Sequence, residues 1–341
     1  MRALTALLAL GLFTGASGCR SKTPPSAPAA TDGAQAEAPV ACGRPNCPEV
    51  VYRRDGNNLI RGIEVDATDV YWSEATPQGL KLRAGPKDGT GPVRTLGDWY
   101  DFGAGRSLVV DATHVYWLAR SGVLQRLPKQ GGEVTSLPLP PGREAGIGPI
   151  EDWQDAILVG GHSCQFVVRV PKDGSPPRAW PIIDKVVGGV TGFAAEGSRV
   201  YCASGTSIQR LDTSTGEVQV LTSGQSMAGP LVLDGDRLFF VNNRPRTGSG
   251  ENLAVLMPGA AQAVDLGPVF GHVGRLNIDR ARRTIHWVTG SSPVISHVGV
   301  YRMDEGRTEL VLDRLDVMGS SAADETYLYW PADHAVMRLR K

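Results

Sequence analysis

The sequence predicts an all-β fold, a seven-bladed β-propeller, and three observations carry this prediction. A segment with a common frame recurs seven times along the chain, at spacings of 38 to 47 residues. Each copy consists of short apolar runs separated by glycine-containing turns, and a unit of about 40 to 45 residues with four strands is typical of a propeller blade. The last copy lacks a final strand, and an unmatched strand precedes the first copy. Two chain ends that complete one another indicate a closed ring.

The repeat is clearest in IEVDATDVYWSEA, which begins at Ile63, and LVVDATHVYWLAR, which begins at Leu108. The equivalent positions in the seven copies are Trp72, Trp117, Val159, Cys202, Phe240, Trp287 and Trp330. Because side chains alternate along a strand, we expect this position to face a neighbouring blade and to pack against it. The third copy has Val159 in place of an aromatic residue. If that copy were spurious, the ring would have six blades.

Four strands, labelled a to d from the centre outward, account for each copy. Strand a is the aliphatic run before an acidic or glycine turn, and strand b is the V-Y-W run. Strand c ends in a basic and apolar pair before a glycine turn, and strand d is the outer run. The seventh copy ends at Lys341 after its strand c, whereas PEVVYRRDG from Pro48 has the pattern of a strand d. We expect this N-terminal strand to complete the seventh blade and remove an open edge.

Aspartates recur at the predicted a-to-b turns and raise the question of a metal site. They are Asp66, Asp111, Asp155, Asp279 and Asp324. Because aspartate commonly accepts a hydrogen bond from the backbone two residues further on, we expect these side chains to fix turns. The sequence contains no G-x-S-x-G, H-E-x-x-H, P-loop or C-x-x-C motif, so the chemistries that need those spacings are not indicated. We therefore predict no catalytic residues, no metal and no cofactor.

The N-terminal region predicts export. A basic start at Arg2 precedes about eleven apolar residues, which are too few to span a bilayer as a helix. We therefore interpret residues 1–18 as a signal peptide. Small residues lead to Cys19 and resemble a bacterial lipobox, although Ala16 stands where a larger aliphatic residue is usual. The resemblance implies cleavage before Cys19 and lipid attachment to its thiol, and ordinary secretion is the alternative.

Residues 19–41 are rich in alanine, proline and serine and contain almost no large apolar side chains. Such a segment cannot bury enough apolar surface to fold, so we predict a disordered tether followed by the propeller at residues 42–341. Four cysteines remain after Cys19, namely Cys42, Cys47, Cys164 and Cys202. An even number in an exported chain indicates disulfides, with three possible connectivities. We favour Cys42 with Cys47, which close a short loop, and Cys164 with Cys202, which fall in neighbouring repeats.

The frame D-x-x-x-V-Y-W, followed by a basic and apolar P-K-D/Q-G turn, resembles YWTD-type propellers and related bacterial repeat lipoproteins, including the DUF5050-like ones. The resemblance covers about residues 60–341. The chain has YWSE at Tyr71 and YWLA at Tyr116 in place of the full tetrapeptide. The resemblance implies a role in binding or scaffolding outside the cytoplasm, and it implies no catalytic residues.

Loops on a rigid scaffold are where binding residues concentrate, so we expect function on one face of the ring. The d-to-a and b-to-c connections share that face, which we call the loop face. Its candidate binding residues are Trp99, Tyr100, Asp101, Phe102, His272, His297 and His334. The three histidines belong to neighbouring blades six and seven, and converging imidazoles would suit a metal or proton transfer.

These observations predict a lipid-anchored propeller of the bacterial cell envelope, at the outer membrane or the periplasmic face, that binds without catalysis. The expected partner is an envelope protein, a peptide or a glycan, and the protein is expected to be a monomer. Equal numbers of acidic and basic residues, 35 of each, argue against a nucleic-acid partner. A propeller lyase or hydrolase acting on polysaccharide and a subunit of an envelope assembly are the alternatives.

Overall fold

In the computed structural model, the described residues are 47–53, 59–77, 79–99, 108–119, 121–142, 148–161, 165–182, 190–225, 228–243, 251–290, 296–315, 320–332 and 335–341. They form seven antiparallel sheets of four strands each, arranged in a ring. The predicted seven-bladed propeller is therefore confirmed. The predicted signal peptide, Cys19 and the tether lie outside the described residues. Within the described ranges, no helix has the length and apolar character needed to cross a membrane.

Each blade follows the chain from its inner strand a to its outer strand d, except for the seventh. Blades one and two comprise β2 (Leu59–Val65), β3 (Asp69–Thr76), β4 (Gly79–Pro86), β5 (Arg94–Trp99), β6 (Leu108–Val110), β7 (His114–Leu118), β8 (Leu124–Pro128) and β9 (Thr135–Leu137). Blades three and four comprise β10 (Ile150–Trp153), β11 (Ala156–Gly160), β12 (Phe166–Pro171), β13 (Arg178–Pro181), β14 (Val190–Glu196), β15 (Arg199–Ser204), β16 (Ser207–Asp212) and β17 (Val218–Thr222). Blades five and six comprise β18 (Ala228–Asp234), β19 (Arg237–Asn243), β20 (Glu251–Leu256), β21 (Val264–Pro268), β22 (Val273–Asp279), β23 (Thr284–Thr289), β24 (Ser296–Arg302) and β25 (Arg307–Leu315).

Blade seven contains both ends of the described chain. Its strands are β26 (Ala322–Ala323), β27 (Tyr327–Pro331), β28 (Ala335–Arg340) and, as strand d, β1 (Glu49–Arg53). Tyr52 of β1 stacks on Trp72 of blade one at a centroid distance of 5.3 Å. Its hydroxyl donates to the Pro86 carbonyl at 2.7 Å. A Cβ atom at Gly85 would lie 2.7 Å from the Tyr52 ring, so glycine makes room for this contact. The predicted closure by the N-terminal strand is present and locks blade seven to blade one.

The seven repeat positions occupy equivalent places in the sheets. Trp72 pairs with Ile63, Val159 with Ile150, and Cys202 with Phe193, each across strands a and b of its own blade. The third copy is therefore a complete blade, and the six-bladed alternative is wrong. The aromatic side chains at these positions are almost fully buried, as expected for residues that pack between blades. They are Trp72, Trp117, Phe240, Trp287 and Trp330.

The turn aspartates of blades one, two and seven join neighbouring blades as well as fixing their own turns. Asp66 Oδ1 accepts from the backbone nitrogens of Thr68 and Asp69, both at 2.7 Å. Its Oδ2 accepts from the Tyr71 hydroxyl at 2.9 Å and from Lys129 Nζ of blade two at 2.7 Å. We call this contact an interblade latch. The same latch joins Asp111 to Tyr116 and Lys172, and Asp324 to Tyr329 and Lys87.

Candidate functional site

The loop face was the predicted binding surface, and the structure describes part of it. Trp99 is the last residue of β5, and its backbone pairs with Leu80. Tyr100, Asp101, Phe102 and His334 lie outside the described residues, so their role stays a prediction. His272 immediately precedes β22, in the d-to-a connection where the sequence placed it. His297 is the second residue of β24 rather than a loop residue, because strand c of blade six starts earlier than expected.

Both described histidines of this group are paired with carboxylates from other strands. His272 Nδ1 lies 2.9 Å from Glu251 Oε1, and the other oxygen of Glu251 accepts from the backbone nitrogen of Val273 at 3.1 Å. His297 Nδ1 lies 2.9 Å from Asp313 Oδ1, at ion-pair distance. A carboxylate on one ring nitrogen orients an imidazole and directs the other nitrogen elsewhere. No sequence motif predicted that these carboxylates lie beside the histidines, because Glu251 and Asp313 belong to other strands, β20 and β25.

An exposed aromatic ring completes this cluster. Phe270 is 41% exposed and has a φ of 62°, a left-handed conformation that is uncommon for a bulky residue. Its ring packs edge-on against His297 at a centroid distance of 6.3 Å. Thr289 holds the segments together, because its Oγ1 accepts from His297 N at 2.8 Å and the next residue, Gly290, donates to the His272 carbonyl at 3.0 Å. Strained backbone with an exposed aromatic ring is typical of a functional position.

A second feature is an amide-rich pocket of about 240 Å³ beside strands of blade five, whose lining extends from Gln225 on the loop face to Gln262 in the c-to-d connection. Its polar lining includes Gln225, Asn242, Asn252, Gln262 and Asp265. Asn242 Nδ2 donates to Gln225 Oε1 at 3.0 Å, and Asn252 Nδ2 donates to Asp265 Oδ2 at 2.8 Å. Because Asn252 directly follows Glu251 and side chains alternate along a strand, the pocket and the histidine cluster flank the sheet of blade five on opposite sides. We call the two together the loop-face site.

The central channel contains a polar cluster that the sequence analysis missed. The inner strands of all seven blades surround a cavity of about 450 Å³. Its walls are mostly glycine, proline, alanine and other aliphatic residues, but four charged residues also line it, namely Glu64, Glu151, Arg275 and Arg280. Arg275 forms an ion pair with Glu64, from blades six and one respectively. Glu64 and Glu151 occupy the same register position, opposite Tyr71 and Leu158.

The environment of Glu151 shifts its acidity into the neutral range. Burial raises the pKa of Glu151 to about 7, since the nearby Arg275 lowers the pKa by less than burial raises it. The carboxylates of Glu64 and Asp152 raise the pKa further. Aligning the repeats would have exposed this site, because the equivalent strand-a positions hold Val109, Ala194, Val232 and Ala322 in other blades. An acidic residue in that series is a departure from the aliphatic pattern.

Within the described ranges, no three His, Cys, Asp or Glu side chains are grouped so as to hold a metal ion. Cys202 is buried in the hydrophobic cluster between blades three and four, which is the region that a bridge to Cys164 would need. Cys42 and Cys164 lie outside the described residues, so both disulfides stay predictions. Mass mapping of a non-reduced digest tests them, and any other pairing would reject them.

Comparison with known proteins finds likeness in fold. The chain matches no protein-family model, and no curated protein matches it. The WD40 β-propeller domain of Doa1 is 12% identical, with a TM-score of 0.62 over 86% of this chain and 96% of that one. BamB from Moraxella catarrhalis is 13% identical, with a TM-score of 0.55 over 86% and 91% of the two chains.

A puromycin-hydrolysing peptidase of Mycobacterium tuberculosis is 15% identical, with a TM-score of 0.61 over 83% of this chain. This chain spans about half of the peptidase, 52% of its length. At such identities the likeness concerns the fold alone. Among these proteins the Doa1 domain is a β-propeller, and the comparisons support the propeller fold of this chain without assigning a family.

Proposed function

We propose that the chain is a lipid-anchored binding module of the bacterial cell envelope and that its loop-face site binds a glycan without catalysis. The export signal and the lipidated Cys19 in this proposal come from the N-terminal sequence. The resemblance to YWTD-like and DUF5050-like propellers supports an extracytoplasmic role. The observation that carries the proposal is the loop-face site, in which the exposed ring of Phe270 packs against His297 on one side of blade five and an amide-lined pocket lies on the other.

The chemistry of that site favours a neutral, hydroxyl-rich ligand. Asparagine and glutamine side chains each offer a donor and an acceptor, which match sugar hydroxyl groups. An exposed aromatic ring provides an apolar face against which a sugar ring can pack. The imidazoles of His272 and His297 each lie 2.9 Å from a carboxylate oxygen, which orients the ring for hydrogen bonding to a ligand hydroxyl group. A neutral oligosaccharide supplies the hydroxyl groups that these polar side chains match.

A glycan microarray of bacterial envelope oligosaccharides, followed by calorimetry on the sugars that bind, tests the proposed ligand class. Phe270→Ala should weaken the affinity about tenfold, which corresponds to about 1.4 kcal/mol. Leu310→Ala is the matched control, because Leu310 is 39% exposed but lies on the outer strand of blade six. Equal binding by both variants would reject the loop-face site. Cleavage of the bound sugar would instead favour the polysaccharide enzyme.

Cell fractionation tests the anchor separately. Acyl chains contribute about 0.8 kcal/mol for each buried CH₂ group, so loss of the lipid should dominate membrane association. Cys19→Ala should therefore move the protein into the soluble envelope fraction, with its loop-face affinity unchanged. Continued sedimentation with membranes would reject the lipid anchor and favour a subunit that a partner protein holds in place.

A further inference from the structure

The channel cluster lies apart from the loop-face site. Glu64 is the penultimate residue of β2, and Glu151 is the second residue of β10. Both strands then enter a-to-b turns, which belong to the opposite face of the ring. The Glu64 side chain is 12% exposed, whereas Arg275 is 41% exposed because it lines the cavity. The cluster therefore faces a defined internal space that the blades hold rigidly.

The cations that line the channel lie beside carboxylates other than Glu151. Arg275 is paired with Glu64, and Arg280, which also lines the cavity, lies 3.9 Å from Glu196 and from Asp234. Lys172 of blade three is engaged by Asp152 and Asp111. No cation among the described residues forms an ion pair with Glu151. A carboxylate in this setting costs free energy unless a partner compensates its charge. Glu151 is therefore the lining carboxylate whose charge a bound cation would compensate.

We propose that the central channel binds a small free organic cation, through an ammonium or guanidinium group received by Glu151 beside the Glu64–Arg275 pair. The cavity of about 450 Å³ is at the lower end of the range for ligand pockets, which suits a small molecule. An anion would compete with Glu64 for Arg275 and approach Glu151 unfavourably. An apolar ligand would leave the carboxyl groups unsatisfied. A metal ion would find only two carboxylates among the described lining residues.

Calorimetric titration of the full chain with 1,4-diaminobutane and with methylguanidine at pH 8 and low salt tests the proposal. We expect saturable binding at one site per chain. Glu151→Gln should weaken it at least tenfold, because the amide keeps the shape of the side chain but lacks its charge. Glu217→Gln is the control, since Glu217 is an exposed carboxylate near the start of β17, on the outside of blade four. It should bind as the wild type does, which excludes a general charge effect.

The pH dependence provides a second readout. The charged and titratable groups around Glu151 are Arg275, Glu64 and Asp152, and Asp152 is itself paired with Lys172. A cation binds the ionised form of Glu151, so the apparent affinity should fall about tenfold from pH 8 to pH 6 as the ionised fraction falls. Circular dichroism of Glu151→Gln establishes that it is folded. Absence of saturable binding for both cations, or equal binding by Glu151→Gln, would overturn the proposal.

Discussion

Carboxylates at the a-to-b turns and carboxylates in the channel are the same chemical groups in opposite environments. At the turns, burial alone would raise the pKa of Asp66, but the hydrogen bonds from Lys129, the backbone and Tyr71 outweigh it and lower the pKa. The pKa values of Asp111 and Asp324 are lowered by the equivalent contacts. In the channel, burial raises the pKa of Glu151 to about 7. The carboxylates are buried in both places, and the number of hydrogen-bond donors around each one decides whether its pKa is raised or lowered.

The two regions therefore depend on pH in opposite directions. A carboxyl group whose pKa is lowered in the folded protein adds stability above its unfolded pKa, and this stability is lost as the pH falls. A carboxyl group whose pKa is raised subtracts stability as the pH rises from its unfolded value, near 4.5, to its folded value. The turns thus hold the ring together, whereas Glu151 weakens it at neutral pH. A group that lowers stability is a candidate for function, since functional sites are commonly kept at the expense of stability.

Removal of a latch should have the largest effect. Asp324→Ala removes the acceptor of the Tyr329 hydroxyl and the carboxylate paired with Lys87 at the interface where the ring closes. We expect the free energy of unfolding at pH 7 to fall by about 3 kcal/mol, as for other broken buried pairs. The deficit should shrink as the pH falls below about 4, because the carboxyl group is then protonated in the unfolded wild type before it is protonated in the folded one, whose pKa is lowered.

Urea unfolding measures this deficit, with Asp173→Ala as the control. Asp173 makes a comparable turn contact with the backbone of Ser175, but it is exposed and joins no second blade. An Asp324→Ala deficit no larger than that of Asp173→Ala would show that the latch adds nothing beyond its turn.

Neutralisation of the channel carboxyl should have the opposite effect. Glu151→Gln removes a charge that the folded state holds unfavourably, so the variant should be more stable than the wild type at pH 8 by on the order of 2 kcal/mol. At pH 4.5, where the wild-type carboxyl is protonated in the folded state, the two proteins should have nearly equal stability. Thermal unfolding across this pH range measures the difference. A constant difference, or a less stable variant at pH 8, would contradict the raised pKa of Glu151.

Extension of the latch to blade six should have the smallest effect. His286 occupies the register position that Tyr71, Tyr116 and Tyr329 hold elsewhere. It contacts Thr284 Oγ1 at 2.9 Å and lines a cavity of about 330 Å³ between blades six and seven. His286→Tyr should fill part of this cavity and donate to Asp279, which raises stability at pH 7 by about 1 kcal/mol.

This gain should increase as the pH falls towards 5. Burial lowers the pKa of His286 to about 3, so the wild type loses stability below the unfolded histidine pKa of about 6.5. Tyrosine does not titrate there. Differential scanning calorimetry at pH 7 and pH 5 measures both values, with His114→Tyr as the control on strand b of blade two. A loss of stability in His286→Tyr would show that blade six cannot accept the latch geometry.

The sequence by itself determined the number of blades, the strand order and the closure by β1, because each repeat carries its own turns and alternating apolar strands. The pairing of Tyr71 with Asp66 could be predicted from one copy of the repeat, because both residues belong to the same hairpin. The lysine that completes each latch comes from the next blade, and Glu251 and Asp313 reach their histidines from other strands. Glu64, Glu151 and Arg275 belong to blades one, three and six. Their meeting in the channel depends on ring closure, so only the tertiary structure decided it.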